Sequence, residues 1–327
     1  MMTAAIMGCQ GPSLTRTEAA FFREARPWGF ILFKRNVDDA QTLRSLTAAL
    51  REAVGYDAPV FMDQEGGSVQ RLRPPLARNW PDASEQTGGQ RAVYLRHQLM
   101  AHELRAVGVD GNCAPVVDVA GPLTHPFLTR RIWSKDPRRT AEMARAATKG
   151  LLSGGVLPVI KHLPGHGAAN ADSHHELPRC PLPLQNLATR DFVPVRALND
   201  IPLGMTAHVV YDALDPHAPA TQSRAVIEYL RGTLGFSGLL MTDDIGMKAL
   251  GGSLAERCAK SLAAGCDLIL HCTGDLTEMH SVAEHTGALQ EGAILRAEAA
   301  LAARRPPVAI DIDAVAAEFD ALSNTRA

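Results

Sequence analysis

Apolar and polar positions along the chain follow two alternating patterns. Short apolar runs end in polar or glycine-rich turns, and between them lie longer alanine-rich stretches with apolar residues at i, i+3 and i+4. The runs "TAAIMG" from Thr3, "FILF" from Phe30, "PVFMD" from Pro59, "CAPVVDV" from Cys113, "LPVIKH" from Leu157, "PLGMTAH" from Pro202, "GLLMTDD" from Gly238 and "CDLIL" from Cys266 predict eight strands. The stretches "TRTEAAFFREAR", "DDAQTLRSLTAALREAV", "RAVYLRHQLMAHELRAV", "DPRRTAEMARAATKGLLSGG" and "SLAERCAKSLAAG" predict helices that cover a sheet with one face.

Eight strand–helix units predict an α/β fold, a single (β/α)8 TIM-type barrel with its active site at the C-terminal strand ends. The rival open sheet announces a nucleotide site with G-x-G-x-x-G after its first strand, and "MGCQGPSL" does not supply one. Loops rich in proline and glycine, such as "RLRPPLARNWPDASEQTGG", are followed by a return of the same rhythm, so residues 1–327 are expected to form one catalytic domain. The segment "AVAAEFDALS" is expected to be a closing helix packed on the outside.

Composition narrows the partners. With 46% hydrophobic and 21% charged residues the 327-residue chain is ordinary for a globular protein, and a net charge of -2 offers no basic field to nucleic acid or anionic lipid. No apolar run approaches the roughly 18 residues of a membrane span, and the N-terminus lacks the basic and small-residue flanks of a signal segment. A cytoplasmic protein is expected, with no membrane partner. The six cysteines contain no C-x-x-C pair and read as small core residues.

On a barrel, the residues that follow each apolar run share one rim. Those positions are Asp63, Gln64 and Glu65; Asp118, with Arg130 and Arg131 in the loop beyond it; Lys161 and His162; His208; and Asp243 and Asp244. Charges of both signs suit a ligand rich in hydroxyls, which donate and accept. Glycoside transfer would then need a carboxylate beneath the anomeric carbon and a proton donor beside the leaving oxygen. Asp243 fits the first role, while Glu65, Glu176 or a histidine could serve the second. In "DSHH", Asp172 lies two residues before His174 and can orient its imidazole, and Gly165 and Gly167 let the preceding loop approach a ligand.

The motifs "ILFKRN" (from Ile31), "DQEGGSVQRL" (from Asp63), "APVVDV" (from Ala114), "KHLPGHG" (from Lys161), "ADSHHELP" (from Ala171), "MTAHVVYDALD" (from Met205) and "MTDDIGMKAL" (from Met241) occur in order. Together they resemble the single-domain β-N-acetylhexosaminidases of glycoside hydrolase family 3, over about Met1 to Leu301. The resemblance implies a retaining exo-enzyme that removes terminal β-linked N-acetylglucosamine, in bacteria from 1,6-anhydro-N-acetylmuramyl peptides during peptidoglycan recycling. It implies Asp243 as nucleophile, His174 as acid/base and Asp172 as its partner, with Asp63, Arg71, Arg131, Lys161 and His162 binding the sugar. The implied partner is a saccharide (muropeptide) substrate, with no cofactor and no metal, and a monomer is expected.

Some positions depart from the family pattern. Ser68 stands where arginine is usual, "GHGAAN" lacks the usual polar residue after the second glycine, and "RRIWSKDP" leaves Arg130 in competition with Arg131; counting back from "DP" favours Arg131. Less specific roles weigh against several candidates. Asp63 and Arg71 could form an ion pair, Glu65 could orient Arg71 or Lys161 or do nothing specific, Asp244 reads as structural, and His166 could only brace its loop. Asp118 and His208 lie near the rim without an assigned role. A β-glucosidase or a β-glycoside phosphorylase is the alternative within the family. A metal-dependent barrel hydrolase is disfavoured because the first strand lacks an H-x-H pair.

Overall fold

Eight parallel strands close on themselves in chain order in the computed structural model, which describes residues 2–122, 124–169 and 177–324. They are β1 (Thr3–Met7), β2 (Pro27–Leu32), β3 (Val60–Met62), β4 (Gly111–Asn112), β5 (Leu157–Leu163), β6 (Leu203–Thr206), β7 (Leu239–Asp244) and β8 (Leu268–His271). The last pairs with the first, through Ala5 and Ile269, so the sheet has no free edge. The predicted (β/α)8 barrel is the observed fold.

Two strands differ from their predicted positions. β2 begins at Pro27 rather than Phe30, because Trp28 is fully buried and stacks on Phe61 across the barrel interior at 6.1 Å. The "CAPVVDV" run itself adds no residue to a regular strand; the strand is Gly111–Asn112 just before it, and within the run a single bridge joins Val116 to Lys161. Pro115 has no N–H to give the ladder, so the run continues as irregular extended chain.

Side chains fill the barrel from inside, with Ile6, Trp28, Phe61, Val159, Leu203, Met241 and Leu270 in one cluster, while Phe22, Phe30, Leu43, Leu50 and Val60 pack between sheet and helices. The predicted helices form at Arg16–Ala25, Ala40–Val54, Gly89–Arg105, Pro137–Ser153 and Leu254–Ala264. Thr15 with Glu18, and Ser253 with Glu256, close capping boxes that satisfy otherwise orphaned N–H groups at helix starts. The expected closing helix spans Ile312–Asn324 and sets Phe319 edge-on against Trp80 at 5.4 Å, outside the helix Gly89–Arg105. No helix among the described residues is long and apolar enough to cross a membrane.

Candidate active site

The chain leaves β3 with Asp63 and, two residues later, presents Glu65 to the same cavity. Lys161, at the end of β5, lies between them, 2.9 Å from Asp63 Oδ1 and 2.6 Å from Glu65 Oε1. Arg71 Nη2 donates to the other oxygen of Asp63 at 2.9 Å, and Arg131 grips Glu65 with Nε and Nη2, each at 2.9 Å. Burial opposes charge on Asp63, Glu65, Lys161 and Arg131. The partners outweigh it: Lys161 and Arg71 hold Asp63 well below the usual carboxylate range, Arg131 and Lys161 lower Glu65, and the two carboxylates keep Lys161 cationic.

The local backbone makes this crowding possible. Gln64–Gly66 and Val69–Gln70 form a short antiparallel ribbon, turned at Gly66 and Gly67 with φ of 109° and 57°. A Cβ at Gly67 would stand 1.6 Å from Asp82 Oδ1, so only glycine fits the turn. Gln64 points away from the cavity and accepts the N–H groups of Arg71 and Leu72, while Asn112 exchanges two hydrogen bonds with the Gln64 backbone. Fully buried Arg96 donates to the Glu65 carbonyl at 2.6 Å from behind. Arg96 and Asn112 were not anticipated as supports. Arg96 lies within an apparently amphipathic helix stretch, where an arginine reads as solvent-facing.

His162 and His166 also line the cavity, and the Lys161–His162 peptide is cis. Fully buried Asp118 accepts from His162 Nδ1 at 2.8 Å and from the backbone N–H of His166 at 2.6 Å. His162 and the hydrogen bond to it lower Asp118 despite its burial. His166 finds no hydrogen-bond partner for either ring nitrogen among the described residues, and burial, then His162, pushes it down to about 4. The loop around it is held from several sides: Tyr211 donates to the Gly165 carbonyl at 2.6 Å, Arg190 to the Val119 carbonyl at 2.7 Å, and Thr124 to the Gly167 carbonyl at 2.5 Å. Beyond the next segment, Arg179–Cys180 pairs in parallel with Val210–Tyr211. The expected Asp172 and His174, with Glu176, lie outside the described residues.

Asp243 closes the cavity from the end of β7. Burial raises its pKa, but the imidazoles of His208 and His162, the Asp244 N–H at 2.8 Å and Lys161 bring it below the ordinary carboxylate value. Asp244, which also lines the cavity, accepts from the N–H groups of Gly246 and Cys272, and burial and the neighbouring Asp243 raise it. His208 bridges the Thr221 hydroxyl and the Asp244 carbonyl, which fixes the end of β7 relative to β6. It is wholly buried and, through that burial, biased towards neutrality.

The residues enclose about 190 Å³. Asp63, Arg71, Arg131, Lys161, His162 and Asp243 meet there, as the sequence led one to expect, together with Glu65 and His166. Arg131 faces the cavity, whereas Arg130 turns out to Asp82 and Glu85. Glu65 binds Arg131 and Lys161, and Arg71 goes to Asp63 instead. Ile31, Phe33, Phe127, Met205 and Met247 add apolar surface beside these charges. Polar groups of both signs next to apolar patches can hydrogen-bond a sugar's hydroxyls while covering its C–H faces. Among the described residues no three His, Cys, Asp or Glu side chains are grouped so as to hold a metal ion.

Similarity to known proteins points the same way. Residues 14–305 match the glycosyl hydrolase family 3 N terminal domain. A β-hexosaminidase of Alkalilimnicola ehrlichii is 39% identical over 284 residues, 82% of this chain and 80% of that protein. A β-hexosaminidase of Stenotrophomonas maltophilia is 36% identical over 294 residues, 85% of this chain and 86% of its own length. NagZ from Neisseria gonorrhoeae, solved with N-trifluoroacetyl-D-glucosamine, superimposes with a TM-score of 0.85 at 27% identity, covering 99% of this chain and 98% of that one.

Proposed function

The chain belongs to glycosyl hydrolase family 3 and is a glycoside hydrolase, and from that premise we propose that it is a retaining exo-β-N-acetylglucosaminidase. Its substrate is a terminal β-linked N-acetylglucosamine, carried on 1,6-anhydro-N-acetylmuramyl peptides released during peptidoglycan recycling. Residues 1–327 act as one catalytic domain, as a monomer in the cytoplasm. The N-acetylated sugar is supported by the relatives named β-hexosaminidase and by the N-trifluoroacetyl-D-glucosamine bound to the gonococcal NagZ.

The observation that carries the reading is the half-buried Asp243 carboxylate, biased to ionise, facing the same cavity as the Asp63–Lys161–Glu65–Arg131 network. In the first step a carboxylate oxygen of Asp243 attacks the anomeric carbon, the bond to the leaving oxygen breaks, and His174 gives that oxygen a proton. Asp172 stabilises the imidazolium before transfer. In the second step His174 takes a proton from water, the hydroxide oxygen bonds to the anomeric carbon, and the Asp243 ester breaks to return the β-configured sugar. Asp63, Arg71, Arg131, Lys161 and His162 hold the ring hydroxyls meanwhile.

The test is hydrolysis of 4-nitrophenyl β-N-acetylglucosaminide beside the matching β-glucoside, with wild type, Asp243→Ala and His174→Ala. Turnover of the N-acetylated substrate alone is expected, abolished in Asp243→Ala. His174→Ala is expected to be slowed most on substrates with poor leaving groups, since acidic phenols need less protonation in the transition state. Turnover mainly of the glucoside, or an active Asp243→Ala, would overturn the reading.

A further inference from the structure

Asp118 does not line the cavity, yet it organises two residues that do. Its Oδ2 accepts from His162 Nδ1 at 2.8 Å; its Oδ1 accepts the backbone N–H groups of His166 at 2.6 Å and of His162 at 3.3 Å. An ionised carboxylate can only accept, so a neutral His162 keeps its hydrogen on Nδ1 and turns a lone pair outward on Nε2. The geometry points to Asp118 as a positioning residue for the sugar: it locks His162 in the Nδ1–H tautomer so that Nε2 accepts a hydrogen bond from a sugar hydroxyl. This rests on the glycosidase reading of the cavity.

A purely structural Asp118 would do no more than tie β5 and the following loop to the end of the "APVVDV" run. Asp118→Asn separates the two roles. Its one carbonyl oxygen can take over the backbone N–H groups held by Oδ1, and its NH2 then meets Nδ1, where a second donor forces the imidazole hydrogen onto Nε2. The ties survive, but the tautomer is inverted.

Nitrogen-15 NMR of histidine-labelled protein reads the tautomer directly, with the His162 signals assigned by their loss in His162→Ala. Wild type is expected to show Nδ1–H and Asp118→Asn to show Nε2–H. With 4-nitrophenyl β-N-acetylglucosaminide, kcat/KM should fall by about 100-fold in Asp118→Asn and in His162→Ala. The double variant should lie within about threefold of His162→Ala alone, because Asp118 acts through that ring. An unchanged tautomer in Asp118→Asn, activity within about threefold of wild type, or losses that multiply in the double variant would overturn the assignment. A wild type inactive on every N-acetylglucosaminide would count against the function proposed above, while the tautomer, read without ligand, would still decide the role of Asp118.

Discussion

The two ends of the barrel use the same device, a carboxylate between two cations, for different ends. At the N-terminal end Asp110 lies 3.0 Å from Arg51 and 2.5 Å from Arg304, and Asp267 lies 2.7 Å from Arg231 and 2.6 Å from Arg296. Each acid also accepts a backbone N–H from a barrel strand, Val60 for Asp110 and Leu240 for Asp267. The arginines give further donors to carbonyls, as Arg51 does to Ala58 and Gly108 and Arg231 does to Phe236. At the C-terminal end Asp63 and Glu65 share Lys161, Arg71 Nε has no partner among the described residues, and the acids face the cavity that Asp243 also lines. The lower clusters spend their hydrogen-bonding capacity on the fold, whereas the upper one holds charges in place with capacity left for a ligand. That is the division expected between the stability and activity faces of a barrel.

Substitutions at the two ends should therefore fail in opposite ways. The largest effect is expected for Lys161→Met, which removes the cation shared by Asp63 and Glu65: kcat/KM should fall by about 1000-fold with loss of oriented charge in the site. The same variant should keep a cooperative thermal melt, since Asp63 retains Arg71 and Glu65 retains Arg131. Near-normal kinetics in Lys161→Met would erase the distinction between the ends. Next in size, Asp110→Asn should lower unfolding free energy in urea by about 2 kcal/mol, through weakened charge-assisted hydrogen bonds in a mostly buried cluster. Its kcat and KM should stay within about twofold of wild type, because uniform loss of stability does not touch transition-state contacts.

The smallest effect concerns a carboxyl that has neither kind of arrangement. Asp191 is fully buried behind Gly165, with no hydrogen bond to either oxygen among the described residues and Arg190 no closer than 3.6 Å. Burial, only partly offset by Arg190 and reinforced by Asp118, pushes it up from 3.8 to about 7. A raised carboxyl pKa means that the folded state holds a proton the unfolded state has released, so its contribution to stability falls as pH rises between those values. Asp191→Asn should flatten this dependence, its melting temperature gaining on wild type by a few degrees more at pH 8 than at pH 5. An equal difference at both pH values would show that Asp191 does not titrate in that window.

Much of the upper end was legible in the residue order because a barrel delivers every strand end to one rim. Asp63, Lys161, His162 and Asp243 needed only that rule and the positions of the apolar runs. Glu65 was visible, with Lys161 or Arg71 as its expected partner; it binds Lys161 and also Arg131, which the residue order did not announce, because the path of the ribbon after β3 sends Arg71 to Asp63. Arg96 and Asn112 carried no signal. One occupies an apparently solvent-facing place on a helix, the other is a polar residue before a cysteine, and each gains its role from a backbone brought close by packing. Asp118 and His208 were noticed at the rim, but their partners, His162 and Thr221, come from other strands and loops.

The sequence by itself determined the βα alternation, the barrel and the set of chemical groups at its rim, because hydrophobic periodicity and strand polarity act locally along the chain. Tertiary structure decided which cation neutralises which acid, which arginine of the Arg130–Arg131 pair faces inward, and which nitrogen of His162 Asp118 holds. Those choices depend on distances of a few ångströms between residues far apart in the chain, where burial makes each unmatched charge costly and leaves few pairings open.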